Sequence, residues 1–177
     1  MKKNLLLLSF LCIQTIVHAQ FNVGTNFILQ FPFSDFKQMS PISFGGCVSV
    51  GYTINKRVDL SLVYSIYNYS GASELGLDSK TVETKFFFLH GNTRPYIGCS
   101  VGAFTKTINS NILPKYTENV WGFEPKLGAL FYPKILKNLF VDASISYLNA
   151  NTKFNAPRAV DLSVGLKYYL NTKKNSR

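Results

Sequence analysis

Residues 159–170 read A-V-D-L-S-V-G-L-K-Y-Y-L and alternate without a break. Val160, Leu162, Val164, Leu166, Tyr168 and Leu170 share one face; Asp161, Ser163, Gly165, Lys167 and Tyr169 share the other. A period of two belongs to a β-strand whose faces meet different surroundings. One face suits hydrocarbon, and the other is small, polar or charged. The same pattern recurs along the chain, so the fold must offer every strand one apolar and one polar side.

The N-terminus supplies a compartment. Met1-Lys2-Lys3-Asn4 precedes an apolar run from Leu5 to Val17, and Val17-His18-Ala19 is followed by Gln20. A basic start, a short apolar stretch and small residues at −3 and −1 describe a cleavable secretory signal, here residues 1–19. The run is too short for a spanning helix, which needs roughly 20 apolar residues. Cys12 follows Phe10-Leu11, where a lipidation site would need small residues. Behind an export signal, repeated two-sided strands point to an all-β transmembrane barrel occupying residues 20–170, with residues 171–177 as a basic tail.

Eight runs carry strand character: 21–31, 42–53, 58–69, 81–89, 94–107, 120–132, 139–148 and 159–170. Long polar gaps at 32–41, 70–80, 109–118 and 149–158 alternate with short ones at 54–57, 90–93 and 133–138. This is the rhythm of an eight-stranded antiparallel up-and-down barrel, with short periplasmic turns, longer outer loops and both termini in the periplasm. An even strand number lets the sheet close and leaves no edge in lipid. Ser43, Gly45, Cys47, Ser49 and Gly51 would face inward in the second strand, and Asp59, Ser61, Val63, Ser65 and Tyr67 in the third. Small inward residues fit a lumen that side chains nearly fill. Ile28, Phe87 and Leu89 fall inward against the pattern, and Pro125 in mid-strand predicts a bulge. A lipocalin-like soluble barrel could share the strand count, but its water-facing side should carry abundant Lys and Glu. Here the polar face is mostly Gly, Ser and Asn.

The inward positions hold the charges. Asp59, Glu83, Glu124, Asp142 and Asp161 fall there with Lys85, Lys126 and Lys167. Buried charges must be paired or they are costly. The eight residues therefore predict an ion-pair and hydrogen-bond network filling the lumen, a structural polar core. Its functional alternative is a narrow porin-like channel for small or apolar solutes. Catalysis by a lipid-modifying enzyme would need a nucleophile with a base beside it. The only histidine beyond the signal, His90, falls in a short turn, away from the long loops. No catalytic, cofactor or metal site is expected. Cys47 and Cys99 fall on opposite faces, which disfavours a disulfide.

Charge is also distributed unevenly. The chain carries +10 overall. Lys56, Arg57, Arg94, Lys134, Lys137, Lys173, Lys174 and Arg177 gather at the short-turn end and the tail, without acids. Such a belt could meet anionic headgroups or periplasmic polymers, or could be ordinary interfacial flanking. Nucleic acid is excluded as a partner for an exported, membrane-embedded chain. Phe31, Phe33, Tyr67, Tyr69, Phe104, Trp121, Phe123 and Tyr147 suit one interfacial girdle; Tyr52, Phe131, Tyr132, Tyr168 and Tyr169 suit the other.

Two stretches carry a resemblance. Arg94-Pro95-Tyr96-Ile97-Gly98-Cys99-Ser100-Val101-Gly102 resembles the "R-P-Y-x-G-x-G-x-G" strand of small outer-membrane barrels, with Ser100 at the usual middle glycine. Residues 161–169 are similar to their closing strand. The resemblance is to the outer membrane protein β-barrel domain family, with its OmpA-, OmpX- and OmpW-like members and PorT-like porin-family proteins. It implies a Gram-negative outer-membrane location, lipids as surroundings, and recognition of the closing strand by the barrel-assembly machinery. In that family this strand usually ends the chain on an aromatic; here Leu170 and a basic tail follow. No peptidoglycan-binding domain follows, so an OmpA-type anchoring role is not implied. The resulting expectation is an integral outer-membrane barrel with a structural or surface-interaction role; no extracellular partner is named.

Overall fold

The structure, a computed structural model, describes residues 20–33, 41–54, 56–69, 74–89, 91–109, 116–133, 136–150 and 158–170. The signal segment, His90 and the tail lie outside them. The eight strands are β1 (Gln20–Pro32), β2 (Ser43–Ile54), β3 (Val58–Tyr69), β4 (Glu74–Phe87), β5 (Thr93–Asn109), β6 (Tyr116–Phe131), β7 (Leu139–Ala150) and β8 (Arg158–Leu170). Each pairs antiparallel with its sequence neighbours, and β1 closes on β8 from Phe21↔Leu170 to Pro32↔Ala159. Closure gives every strand a hydrogen-bonded neighbour on both sides and leaves no open edge to face hydrocarbon. Among the described residues no helix is long and apolar enough to cross a membrane; the strands make the wall.

Alternation fixes the two faces. In β3, Asp59, Ser61, Val63, Ser65 and Tyr67 are buried, while Leu60, Leu62, Tyr64 and Ile66 stand exposed on the outer wall. Val48, Val50, Val82, Ile97, Leu127, Ile145, Leu162 and Val164 continue that apolar wall around the barrel. Cys47 and Cys99 are free; Cys47 is partly buried and Cys99 is exposed.

Several sequence expectations change. β4 begins at Glu74 rather than residue 81, and β6 at Tyr116 rather than 120. Strands β4, β5 and β6 have 14, 17 and 16 residues, beyond the roughly 9–11 that span hydrocarbon. The surplus lies at the long-loop end, where Glu74 pairs with Asn109 and Ile108 with Tyr116. Outside the hydrocarbon no apolar outward face is needed, so Asp78 and Lys80 hid the start of β4, and Asn119 that of β6, from a hydropathy reading. The Thr105 hydroxyl donates to Asn119 Oδ1 at 2.7 Å on this exposed outer surface.

Leu89 lies beyond the end of β4 and is exposed, not inward. Pro125 makes no bulge. Phe123↔Asn149 and Lys126↔Ser146 keep one register, and pairing with β7 lapses at Glu124 and Pro125 between them. The missing proline N–H is absorbed by a gap in the ladder rather than an inserted residue.

The girdle assignment also needs correcting. Tyr67, Tyr69, Phe104 and Tyr169 are buried in the lumen. Trp121, Phe123, Tyr147, Tyr52, Phe131 and Tyr168 do face outward. Inward aromatics fit because glycines make room. A Cβ on Gly128 would lie 2.5 Å from the Tyr96 hydroxyl, and one on Gly122 would lie 2.8 Å from the Phe104 ring. Each ring thus folds across a glycine of the next strand.

Candidate functional site

The lumen is built in three layers. At the long-loop end Ile28, Tyr67, Tyr69, Leu77, Phe104 and Leu148 form one apolar cluster, with Val120, Ala150 and Ala159. At the short-turn end Phe87, Tyr96, Leu130, Phe140 and Tyr169 form another. Phe87 meets Tyr96 edge-on at 5.7 Å, and Phe140 meets Tyr169 edge-on at 5.1 Å. The charged residues lie between these two plugs.

The polar layer has two branches. In the first, Lys167 Nζ donates to Asp59 Oδ1 at 2.8 Å. Ser61 also donates to Oδ1, at 2.6 Å, while Thr53 and Asn22 donate to Oδ2 at 2.6 and 2.8 Å. The four donors come from β8, β3, β2 and β1, so Asp59 stitches the closing seam of the barrel. Each carboxylate oxygen accepts two bonds, which satisfies a buried anion.

In the second branch Lys85 Nζ lies 2.7 Å from Asp142 Oδ2 and 3.1 Å from Glu83 Oε1. The Tyr96 hydroxyl donates to Asp142 Oδ1 at 2.7 Å, and the same ring lies 4.7 Å from the Lys85 ammonium. Lys126 Nζ lies 2.5 Å from Glu83 Oε2 and 3.6 Å from Glu124 Oε1. Ser146 donates to Glu124 at 2.5 Å, and Ser100 to Glu83 at 3.4 Å. Glu83 thereby bridges two lysines, and four strands, β4 to β7, share one chain of charge-assisted bonds.

Seven of the eight charged residues singled out in the sequence join these branches. Asp161 is buried but has no ion pair among the described residues, and neither of its oxygens has a hydrogen-bond partner. Its register partners are Gln30 on β1 and Ser146 on β7. The Gln30 Nε2 is likewise unpartnered, while Tyr69 donates to Gln30 Oε1. Sequence reading passed over the neutral members Asn22, Thr53, Ser61, Ser100, Tyr96 and Ser146. Their inward parity was legible; their role depends on which strands the ring brings together. The described residues contain no group of three or more His, Cys, Asp or Glu able to hold a metal.

No family model matches the chain, and no curated protein matches it. Solved structures do. Neisserial surface protein A shares 18% identity over 85% of this chain and 97% of that one, with a TM-score of 0.72. The N-terminal β-barrel domain of Pseudomonas aeruginosa OprF shares 21% over 85% and 99%, with a TM-score of 0.56. This chain has the fold of the small outer-membrane β-barrels. A third, Ail, the attachment invasion locus protein of Yersinia pestis, shares 13% over 86% and 99%, with a TM-score of 0.61.

Proposed function

We propose that the chain is an integral outer-membrane barrel with a non-catalytic, structural or surface-contact role, its short turns and termini on the periplasmic side. The observation that carries this reading is the sealed lumen. An ion-paired layer lies between two aromatic plugs, and its lysines are already committed to carboxylates. A conducting path would need that layer and both plugs to rearrange together. Catalysis would need a carboxylate or serine freed from the same network, with a base beside it.

The surface-contact part rests on the β4–β5–β6 extension. It raises a polar outer surface above the apolar wall at the long-loop end. Rigid scaffolds commonly present binding segments this way. That two structural neighbours are a surface protein and an attachment protein is consistent with such a use. The test is planar-bilayer recording on protein whose barrel state is verified by heat-modifiable gel mobility. The sealed lumen predicts no steady single-channel openings; reproducible unitary conductance would replace this reading with the narrow channel.

A further inference from the structure

The short-turn end of the barrel carries a cavity of about 410 Å³ that the lumen network does not use. All the short-turn hairpins contribute to it. Lys56 comes from the β2–β3 turn, Asn92 and Arg94 from the β4–β5 turn and the start of β5, and Asn138 from the β6–β7 turn; Gln20 opens β1. Its floor is aromatic, made by Phe140 and Tyr169 of the lower plug with Tyr132 beside them. The cavity is therefore a blind cup and not the mouth of a channel.

The cup is rich in donors and cationic. Among the described residues no carboxylate pairs with Lys56 or Arg94. No acid among the described residues lines it, and the lumen carboxylates Asp59 and Asp142 are held by Lys167 and Lys85. The Arg94 guanidinium stacks 4.7 Å over the Phe140 ring, and its Nε donates to the Gly91 carbonyl at 3.4 Å. Those two contacts fix the guanidinium plane and leave its terminal nitrogens for another acceptor. Lys56 and Asn138 both adopt left-handed backbone conformations, φ 58° and 67°. The rim is braced as well: the Tyr132 amide donates to the Asn92 carbonyl at 2.7 Å, and the Tyr169 amide to the Asn138 carbonyl at 2.9 Å.

We propose that this cup is a binding site for an oxyanion, a phosphate or carboxylate group carried by a water-soluble partner that reaches the short-turn side. Lys56 and Arg94 supply the charge, the amides of Gln20, Asn92 and Asn138 supply further donors, and the aromatic floor receives the body attached to the anion. Charge-assisted bonds from a fixed guanidinium favour such groups over a bare halide. The cup lies inside the ring of strands, over the plug. A lipid headgroup, which flanks the outer wall, would have to fold over the rim to enter it. The proposal rests on the fold and is independent of any surface-contact role.

The experiment is an NMR titration of the full mature barrel in zwitterionic nanodiscs, adding sodium phosphate or sodium acetate against sodium chloride at matched ionic strength. The resonances followed are the Gln20, Asn92 and Asn138 side-chain amides and Arg94 Nε–H. Saturable shifts with phosphate or acetate but not chloride are expected. Lys56→Gln with Arg94→Gln should weaken the affinity roughly tenfold or more, since each removes a charged hydrogen bond. Lys137→Gln, an exposed lysine at the same end but outside the cup, should leave it unchanged. Heat-modifiable mobility verifies that each variant is folded. Linear, unsaturated shifts, or equal affinity in the double variant, would overturn the site. Nanodiscs doped with anionic lipid separate the sources: unchanged phosphate affinity supports a soluble partner, and competition by the lipid overturns that part.

Discussion

Strand β8 takes part in two very different carboxylate environments. Its Lys167 reaches Asp59, which accepts bonds from four strands. Its own Asp161, six positions earlier and on the same inward face, has no hydrogen bond to either oxygen among the described residues. Both carboxylates are equally buried. The difference lies in what the closed ring sets opposite them. Around Asp59 it gathers an amide, two hydroxyls and an ammonium in direct hydrogen bonds; around Asp161 it brings Glu124, a like charge whose serine is already taken, and leaves the neighbouring Gln30 and Tyr67 outside hydrogen-bond geometry. Inward parity thus decides that a charge is buried, and inter-strand register decides whether the burial is compensated.

The largest expected effect is on the compensated side. Lys85→Met leaves Asp142 with only the Tyr96 hydroxyl and removes one of the two lysines on Glu83. Breaking a buried pair from one side typically costs about 3–5 kcal/mol. Urea unfolding in micelles, followed by the fluorescence of Trp121, the only tryptophan, should show a loss near the upper part of that range. Asp59→Asn comes next. It strands the Lys167 ammonium in the lumen, for an expected loss of about 3 kcal/mol. If either variant unfolds like wild type, the paired layer does not hold the barrel as described.

A double variant sharpens the point. Asp59→Asn with Lys167→Met removes both charges, so it should recover about 2 kcal/mol relative to Asp59→Asn alone. Additive losses would mean that the two residues act separately, each through its own packing. Gly128→Ala probes the same side through shape. Its added carbon would meet the Tyr96 hydroxyl at 2.5 Å and the Ala143 carbonyl at 2.7 Å, pushing Tyr96 off Asp142. Overpacking of this kind costs about 2 kcal/mol. An unchanged unfolding midpoint would show that Tyr96 can leave freely.

Much of this architecture was legible because lipid imposes a simple rule. β2, β3, β7 and β8 alternate cleanly, so their faces and the inward parity of Asp59, Asp142, Asp161 and Lys167 follow from the sequence, and the two-residue spacing of Glu83/Lys85 and Glu124/Lys126 adds the other four. The rule fails where lipid ends. Glu74–Lys80 has polar outward positions because that part of β4 rises past the hydrocarbon, so it reads as loop. It is also blind to residue type inside the ring. Tyr67, Phe104 and Tyr169 look like girdle aromatics but are plugs, although parity alone would have turned them inward. Pairing is the least legible part. Lys167 and Asp59 are 108 residues apart and meet only because β1 closes on β8 and carries β2 and β3 alongside. Within-strand spacing found Glu83/Lys85 and Glu124/Lys126, but not the links from Lys85 to Asp142 or Lys126 to Glu83.

The smallest expected effect, and the one of opposite sign, is at Asp161. A carboxyl group buried with no hydrogen bond among the described residues, beside a second carboxylate, is a net cost to the folded state. Asp161→Asn keeps the shape, cannot ionise, and offers an amide that can donate towards Glu124. The substitution should therefore stabilise the barrel by about 1 kcal/mol, seen as a higher urea midpoint at unchanged slope. Asp59→Asn, the same chemical change on a carboxylate of equal burial, should lower that midpoint. A loss at Asp161 as large as that at Asp59 would mean that Asp161 is compensated after all, and Gln30→Leu would then test its neighbour on β1 as the donor. Opposite signs from one substitution at two lumen aspartates would show that partner geometry, and not burial, sets the energetics of this lumen.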